Sequence, residues 1–164
     1  IEAPFATMAA MLKDKKADLV AGVPPFSFNP IYKTDAKVLM DQTAGLGRSQ
    51  FVFWTMRKSF IDKHRAVLVD FMEDVLRIER WYLDPKNHDE VVKIAATMLK
   101  APPDRLGWLF TKQDYFRDPN GKPDLEALQR NVDTTAELGF FKSSFKVKDY
   151  ADLSIVEEAA KRLK

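Results

Sequence analysis

The chain has 164 residues, enough for one domain with a proper core, and its 46% hydrophobic content is ordinary for a globular protein. Twenty-six basic residues are interspersed with 24 acidic ones for a net charge of +2, which reads as a solvated surface and argues against nucleic-acid binding. No cysteine occurs, which excludes disulfides, cysteine-ligated zinc and thiol chemistry, and no run approaches the ~20 apolar residues of a membrane span.

Phe5, Met8, Ala9 and Leu12 recur at helical spacing behind Pro4, a residue suited to a first helical turn, and Lys13 to Lys16 close that helix. Leu19 to Ala21, bounded by Asp18 and Gly22, predicts a short buried strand that the tandem Pro24-Pro25 must stop. Phe26 to Tyr32 predicts a short helix limited by Pro30. A second strand is expected at Lys37 to Met40, a flexible connection at Gly45 and Gly47, and a third strand at Gln50 to Met56, which is rich in aromatic and β-branched residues.

Beyond Met56 the pattern turns helical. Leu68, Phe71, Met72, Val75 and Tyr82 fall on one face of a long helix, with Asp70, Glu73, Asp74, Arg77 and Arg80 mostly on the other, and Pro85 ends it. Asn87 predicts the N-cap of a helix carrying Val91, Val92, Ala95 and Leu99, broken by Pro102-Pro103. A short helix is expected from Asp104 to Phe110, and a turn at Asp118-Pro119-Asn120-Gly121. Asp124 predicts the cap of a helix with Leu125, Leu128, Val132 and Leu138 inside and Gly139 as its stop. Ser154 and Glu157 predict a capping box for the last helix. Three short strands among about six helices give an α/β reading with too small a sheet to cover its helices, so the sheet is expected to look incomplete.

The order of these motifs resembles the C-terminal half of the periplasmic solute-binding proteins of ABC importers, in the branch of nitrate, sulfonate, taurine and thiamine-precursor binders. The resemblance rests on Ala17-Asp18-Leu19-Val20-Ala21-Gly22 running into Val23-Pro24-Pro25, on Lys37 to Met40, and on the crossing strand before Ser59 to His64. Further along it rests on Trp81 to Pro85, on Asp124 to Gln129, on Glu137 to Phe141 and on Asp152-Leu153-Ser154. It implies a type II periplasmic-binding-protein-like α/β fold, incomplete here. Residues 1–49 would be part of the second lobe with cleft-lining strand ends. Residues 50–164 would be the returning strand and the C-terminal helical part of the first lobe. It also implies a periplasmic or lipid-anchored location, ABC permease subunits as partners, a small-molecule ligand, no cofactor and no stable membrane insertion. The start at Ile1 and the lack of a signal peptide read as a processed protein or a fragment.

The candidate ligand-binding residues are Val23, Pro25, Phe26 and Asn29 beyond the first strand, and Arg48, Ser49 and Gln50 before the third. Ligands bind open α/β sheets beyond the carboxyl ends of strands, and aromatic walls with a few polar groups suit a small organic molecule. Phe26 and Phe28 read equally as core packing. The Arg48 guanidinium offers paired hydrogen bonds to a carboxylate or sulfonate, or stands solvated. The apolar Val23 to Phe28 stretch favours an organic ligand over a small inorganic anion. His64 and His88 stand apart without metal-ligand spacing, and no nucleophile elbow or phosphate-binding glycine motif occurs. The expected function is therefore solute capture for an ABC importer and not catalysis. The alternatives are an enzyme resembling the thiamine-pyrimidine synthases, whose cysteine-rich motif is missing here, and a ligand-sensing domain of a signalling protein.

Overall fold

A computed structural model describes residues 1–23, 26–50, 52–112, 114 and 116–163. The described residues form seven α-helices, α1 (Phe5–Lys13), α2 (Ile31–Thr34), α3 (Gln42–Leu46), α4 (Lys58–Leu83), α5 (His88–Leu99), α6 (Leu125–Glu137) and α7 (Ser154–Arg162), with four 3₁₀ turns between them. The chain divides into two compact units. The first is Ile1–Asp41 with Asp89–Leu109, and the second is Gln42–His88 with Phe110–Lys164.

The second unit is built on α4 and α7. Val69 and Leu76 of α4 and Val156 and Ala159 of α7 form a buried cluster, with Met72, Leu153, Ile155, Ala160 and Leu163 packed around it. Leu76 is fully buried. Charged pairs line the edges of this contact, Arg65 with Glu158 at 2.9 Å and Arg162 with Asp70 at 2.7 Å. These pairs are half exposed, so they set register more than they add stability. Arg80 also donates to the Leu163 carbonyl at 2.6 Å and to Asn120 Oδ1 at 2.8 Å, which ties the end of α7 and the 118–121 turn to α4. That turn needs its glycine: Gly121 has φ +65°, and a Cβ there would stand 2.8 Å from Leu76 Cδ2.

Two helix starts follow carboxylate chemistry. Asp124 Oδ1 accepts the Ala127 N–H at 2.9 Å and caps α6 as its sequence predicts. At α7 the acceptor lies earlier than the expected capping box. Asp152 Oδ1 takes the Ser154 N–H at 2.9 Å and the Ser154 hydroxyl at 2.6 Å, which leaves Ser154 to receive Arg65 Nη1. Val132, expected inside, is buried together with Ala127, whereas Leu138, also expected inside, is exposed.

The expected α/β, periplasmic-binding-protein-like fold is overturned: the described residues contain no strand at all. The runs read as strands, 17–22, 37–40 and 50–56, are irregular, with Phe51 outside the described residues. A strand needs a neighbour to accept and donate its ladder hydrogen bonds. No backbone N–H of residues 36–40 or 52–56 donates to another described residue. Apolar, β-branched composition favours a strand only where a half-buried surface receives it, and here Val38 is 89% exposed and Val52 85%. Trp54 finds one partner, an edge-on contact with Phe71 of α4 at 5.4 Å between ring centres, yet stays 67% exposed.

The buried cluster around Leu76 holds α4 against α7 in the second unit. Replacing Leu76 with Ala should cost about 2–5 kcal/mol in urea unfolding monitored by helical circular dichroism, while the same replacement at exposed Leu39 should change stability by less than about 0.5 kcal/mol.

Candidate functional site

Residues 26–29 are held by local hydrogen bonds. The Ser27 N–H donates to the Val23 carbonyl at 2.9 Å, and the Asn29 N–H to the Phe26 carbonyl at 3.2 Å. Asn29 Oδ1 then accepts the Ile31 N–H at 3.1 Å at the entry to α2. Pro24 and Pro25 lie outside the described residues. On the other side of the site, α5 ends at Leu99, and Lys100 follows with a φ of +50° that lets the Ala101 N–H reach back to the Ala96 carbonyl at 3.1 Å. Pro102-Pro103 then prevents the helix from continuing and directs the chain into the turn that carries Arg105.

Arg105 joins the two segments. Its Nη1 donates to the Phe28 carbonyl at 2.8 Å, its own carbonyl accepts the Trp108 indole N–H at 3.0 Å, and the Trp108 and Phe28 rings stand 6.3 Å apart. The guanidinium is partly buried, and among the described residues one of its nitrogens is bonded, which leaves its other N–H groups to face a ligand. Below it, Phe5 of α1 stacks on Phe26 at 6.3 Å.

Two adjoining concavities, both within the first unit, share Phe28, Asn29 and Arg105 as a common wall. One holds about 310 Å³ and is faced chiefly by Phe5, Ala9, Phe26 and Leu99, with Lys100 on its lip. The other holds about 390 Å³ and sets the polar groups of Ser27, Lys33 and Asp104 beside the shared Phe28. Small-ligand sites commonly occupy a few hundred Å³ with an apolar lining and a few polar groups that fix orientation. Phe26 and Asn29 thus meet in one site, and Val23 braces it through its carbonyl. Phe5, Lys33, Lys100 and Arg105 were not singled out by sequence reasoning, because they come from segments up to a hundred positions apart. The one available signal was Arg105, a cation two residues beyond a Pro-Pro helix stop.

Arg48, Ser49 and Gln50 lie in the second unit and serve its internal bonding. The Arg48 guanidinium pairs with Asp124 at 2.5 Å, stands 5.8 Å from the Phe116 ring centre, and its carbonyl accepts Arg130 Nη2 at 2.9 Å. The Ser49 hydroxyl accepts Gln42 Nε2 at 2.6 Å. Gln50 Oε1 accepts the Asp124 N–H at 3.0 Å, while its carbonyl accepts Asn131 Nδ2 at 2.8 Å. Arg48 and Gln50 fasten the loop before α4 to α6, while Ser49 ties the same loop to α3.

His64 sits at a kink in α4, with φ −121°, and its ring lies 4.6 Å from that of Phe60. Among the described residues no group of three or more His, Asp or Glu side chains is arranged to hold a metal ion, and no helix is long and apolar enough to cross a membrane.

No protein-family model matches this chain, and no curated protein or solved structure matches it.

The Arg48–Asp124 arrangement gives a pH test of its structural role. The Ala127 N–H first, and then the Arg48 charge, hold the Asp124 carboxyl below the usual carboxylate range, and Ser154 does the same for Asp152. A depressed carboxyl contributes stability above its unfolded value that is lost as pH falls through the folded one. Stability should therefore decline as pH drops below about 4. Asp124→Asn should flatten that acid limb in pH-dependent thermal melts, and Arg48→Gln should flatten it less, since the backbone N–H contributes most.

Proposed function

We propose that this chain captures a small organic anion, as the solute-binding part of an ABC importer. Two supports carry different parts of this reading. The order of the sequence motifs supports delivery to a permease, and it is the sole support for that step now that the two-lobed sheet is absent from the described residues. The geometry supports capture: Phe26 and Asn29, marked by sequence as ligand residues, meet Phe5 and the half-committed Arg105 guanidinium around one concavity. This convergence is the observation that carries the proposal.

The chemistry of the lining fits binding without turnover. Phenylalanine faces offer apolar area at little entropic cost, and a guanidinium recognises carboxylate or sulfonate oxygens in a planar fork. Ser27, the hydroxyl in the neighbouring concavity, has no histidine beside it in that lining to act as a base.

The site is open, and Phe26 is 41% exposed before any ligand arrives. Affinity should accordingly be weak, near millimolar, or about −4 kcal/mol. Calorimetric titration of the intact chain with hexanoate and hexanesulfonate should show this binding. Phe26→Ala should weaken it by about 1 kcal/mol, roughly fivefold, with little change in melting temperature. A variant that keeps its affinity and melts at a lower temperature would make Phe26 a packing residue and remove the aromatic wall from the proposal.

A further inference from the structure

We propose that the two adjoining concavities form one bipartite site for an amphipathic anion, whose apolar body lies on Phe5 and Phe26 and whose acidic head is held by Arg105 and Lys33. The inference rests on the solute-capture reading and adds to it the ligand's shape, its polarity and the residues that read its charge.

The division of labour follows from the lining. The first concavity is walled by phenylalanine, alanine and leucine, and its one cation besides the shared Arg105, Lys100, is exposed at the edge. The second is lined by Ser27, Lys33, Asp104 and the shared Asn29 and Arg105. Two cations face one carboxylate there, so the polar half carries a net positive charge and favours an anionic head over a neutral or cationic one. Asp104 disfavours a doubly charged inorganic anion and leaves room for an uncharged or cationic substituent beside the head.

Arg105 stands at the junction, where a head group attached to a body in the first concavity must pass. Its bond to the Phe28 carbonyl fixes one nitrogen, and the Trp108 indole anchors its backbone. The guanidinium is therefore oriented before a ligand binds, which lowers the ordering cost of an ion-paired hydrogen bond. Arg48, the cation chosen from the sequence, is instead paired with Asp124.

The test is calorimetric titration of the intact chain with four probes of one chain length: hexanesulfonate, hexanoate, hexanol and hexylammonium. The two anions should bind, and hexanol and hexylammonium should bind roughly tenfold or more weakly. Arg105→Gln and Lys33→Gln should each weaken hexanesulfonate severalfold while leaving hexanol unchanged, and Arg48→Gln should leave both unchanged. Lys33 is exposed, so its variant keeps the test valid even where Arg105→Gln disturbs the Phe28 turn; melting curves identify that case. Hexanol binding as well as hexanesulfonate, with both variants silent, would overturn the head-group assignment and leave apolar solute capture standing. A loss caused by Arg48→Gln alone would move the anion to the second unit and overturn it equally. Absence of binding by all four probes would overturn this inference together with the capture reading.

Discussion

Leu76 sits at zero exposure where α4 meets α7, and the buried cluster of that contact closes around it. The long helix can present Val69, Met72 and Leu76 to α7 because 69, 72 and 76 follow the i, i+3, i+7 spacing of one helical face. Once α7 lies on that face, Arg80 can reach the Leu163 carbonyl and Asn120, and the 118–121 turn is drawn over Leu76, where only glycine fits. The turn in turn sets the start of α6, whose cap Asp124 receives Arg48 and Gln50. One apolar contact thus propagates through a chain of polar ones to the loop at Arg48.

The first unit depends on a different device. Its concavities are made where proline turns the chain on each side, Pro30 at the start of α2 and Pro102-Pro103 after α5, and an arginine bridges the two segments through a backbone carbonyl. A site made by turns and a single bridge is open, which agrees with half-exposed phenylalanine walls and a weak expected affinity. The buried Tyr32 hydroxyl finds no hydrogen-bond partner in the described residues, a cost of about 1–3 kcal/mol that the small core of this unit must offset.

Helices were legible in the sequence wherever periodicity and a stop signal coincided. Phe5 to Lys13 behind Pro4, the long helix ending before Pro85, and the Asp124-capped helix ended by Gly139, which has φ +82°, all appear where their residues place them. Finer register was less legible. Phe71 and Leu138 read as interior and stand exposed, because periodicity marks an apolar face without saying which neighbour covers it. The strands failed for a related reason. Val38-Leu39-Met40 and Val52-Phe53-Trp54 have strand composition, but a strand is a property of two segments, and no described segment of this chain pairs with them. Half of the candidate site was legible for the same reason as the helices. Phe26 and Asn29 follow a local signal at the prolines, whereas Phe5 and Arg105 join them only through tertiary contact.

Order in the second unit comes from helix packing around Leu76 and not from a sheet. Residue-resolved amide hydrogen exchange tests it most directly, because protection follows hydrogen bonding and burial. The account predicts slow exchange for the amides of Val69 to Leu76 in α4 and Glu158 to Lys161 in α7, and near-unprotected exchange for Val38 to Met40 and Val52 to Thr55. Strong protection across Val52 to Thr55, equal to that of α4, would mean that this run is paired as a strand and would contradict the helical account.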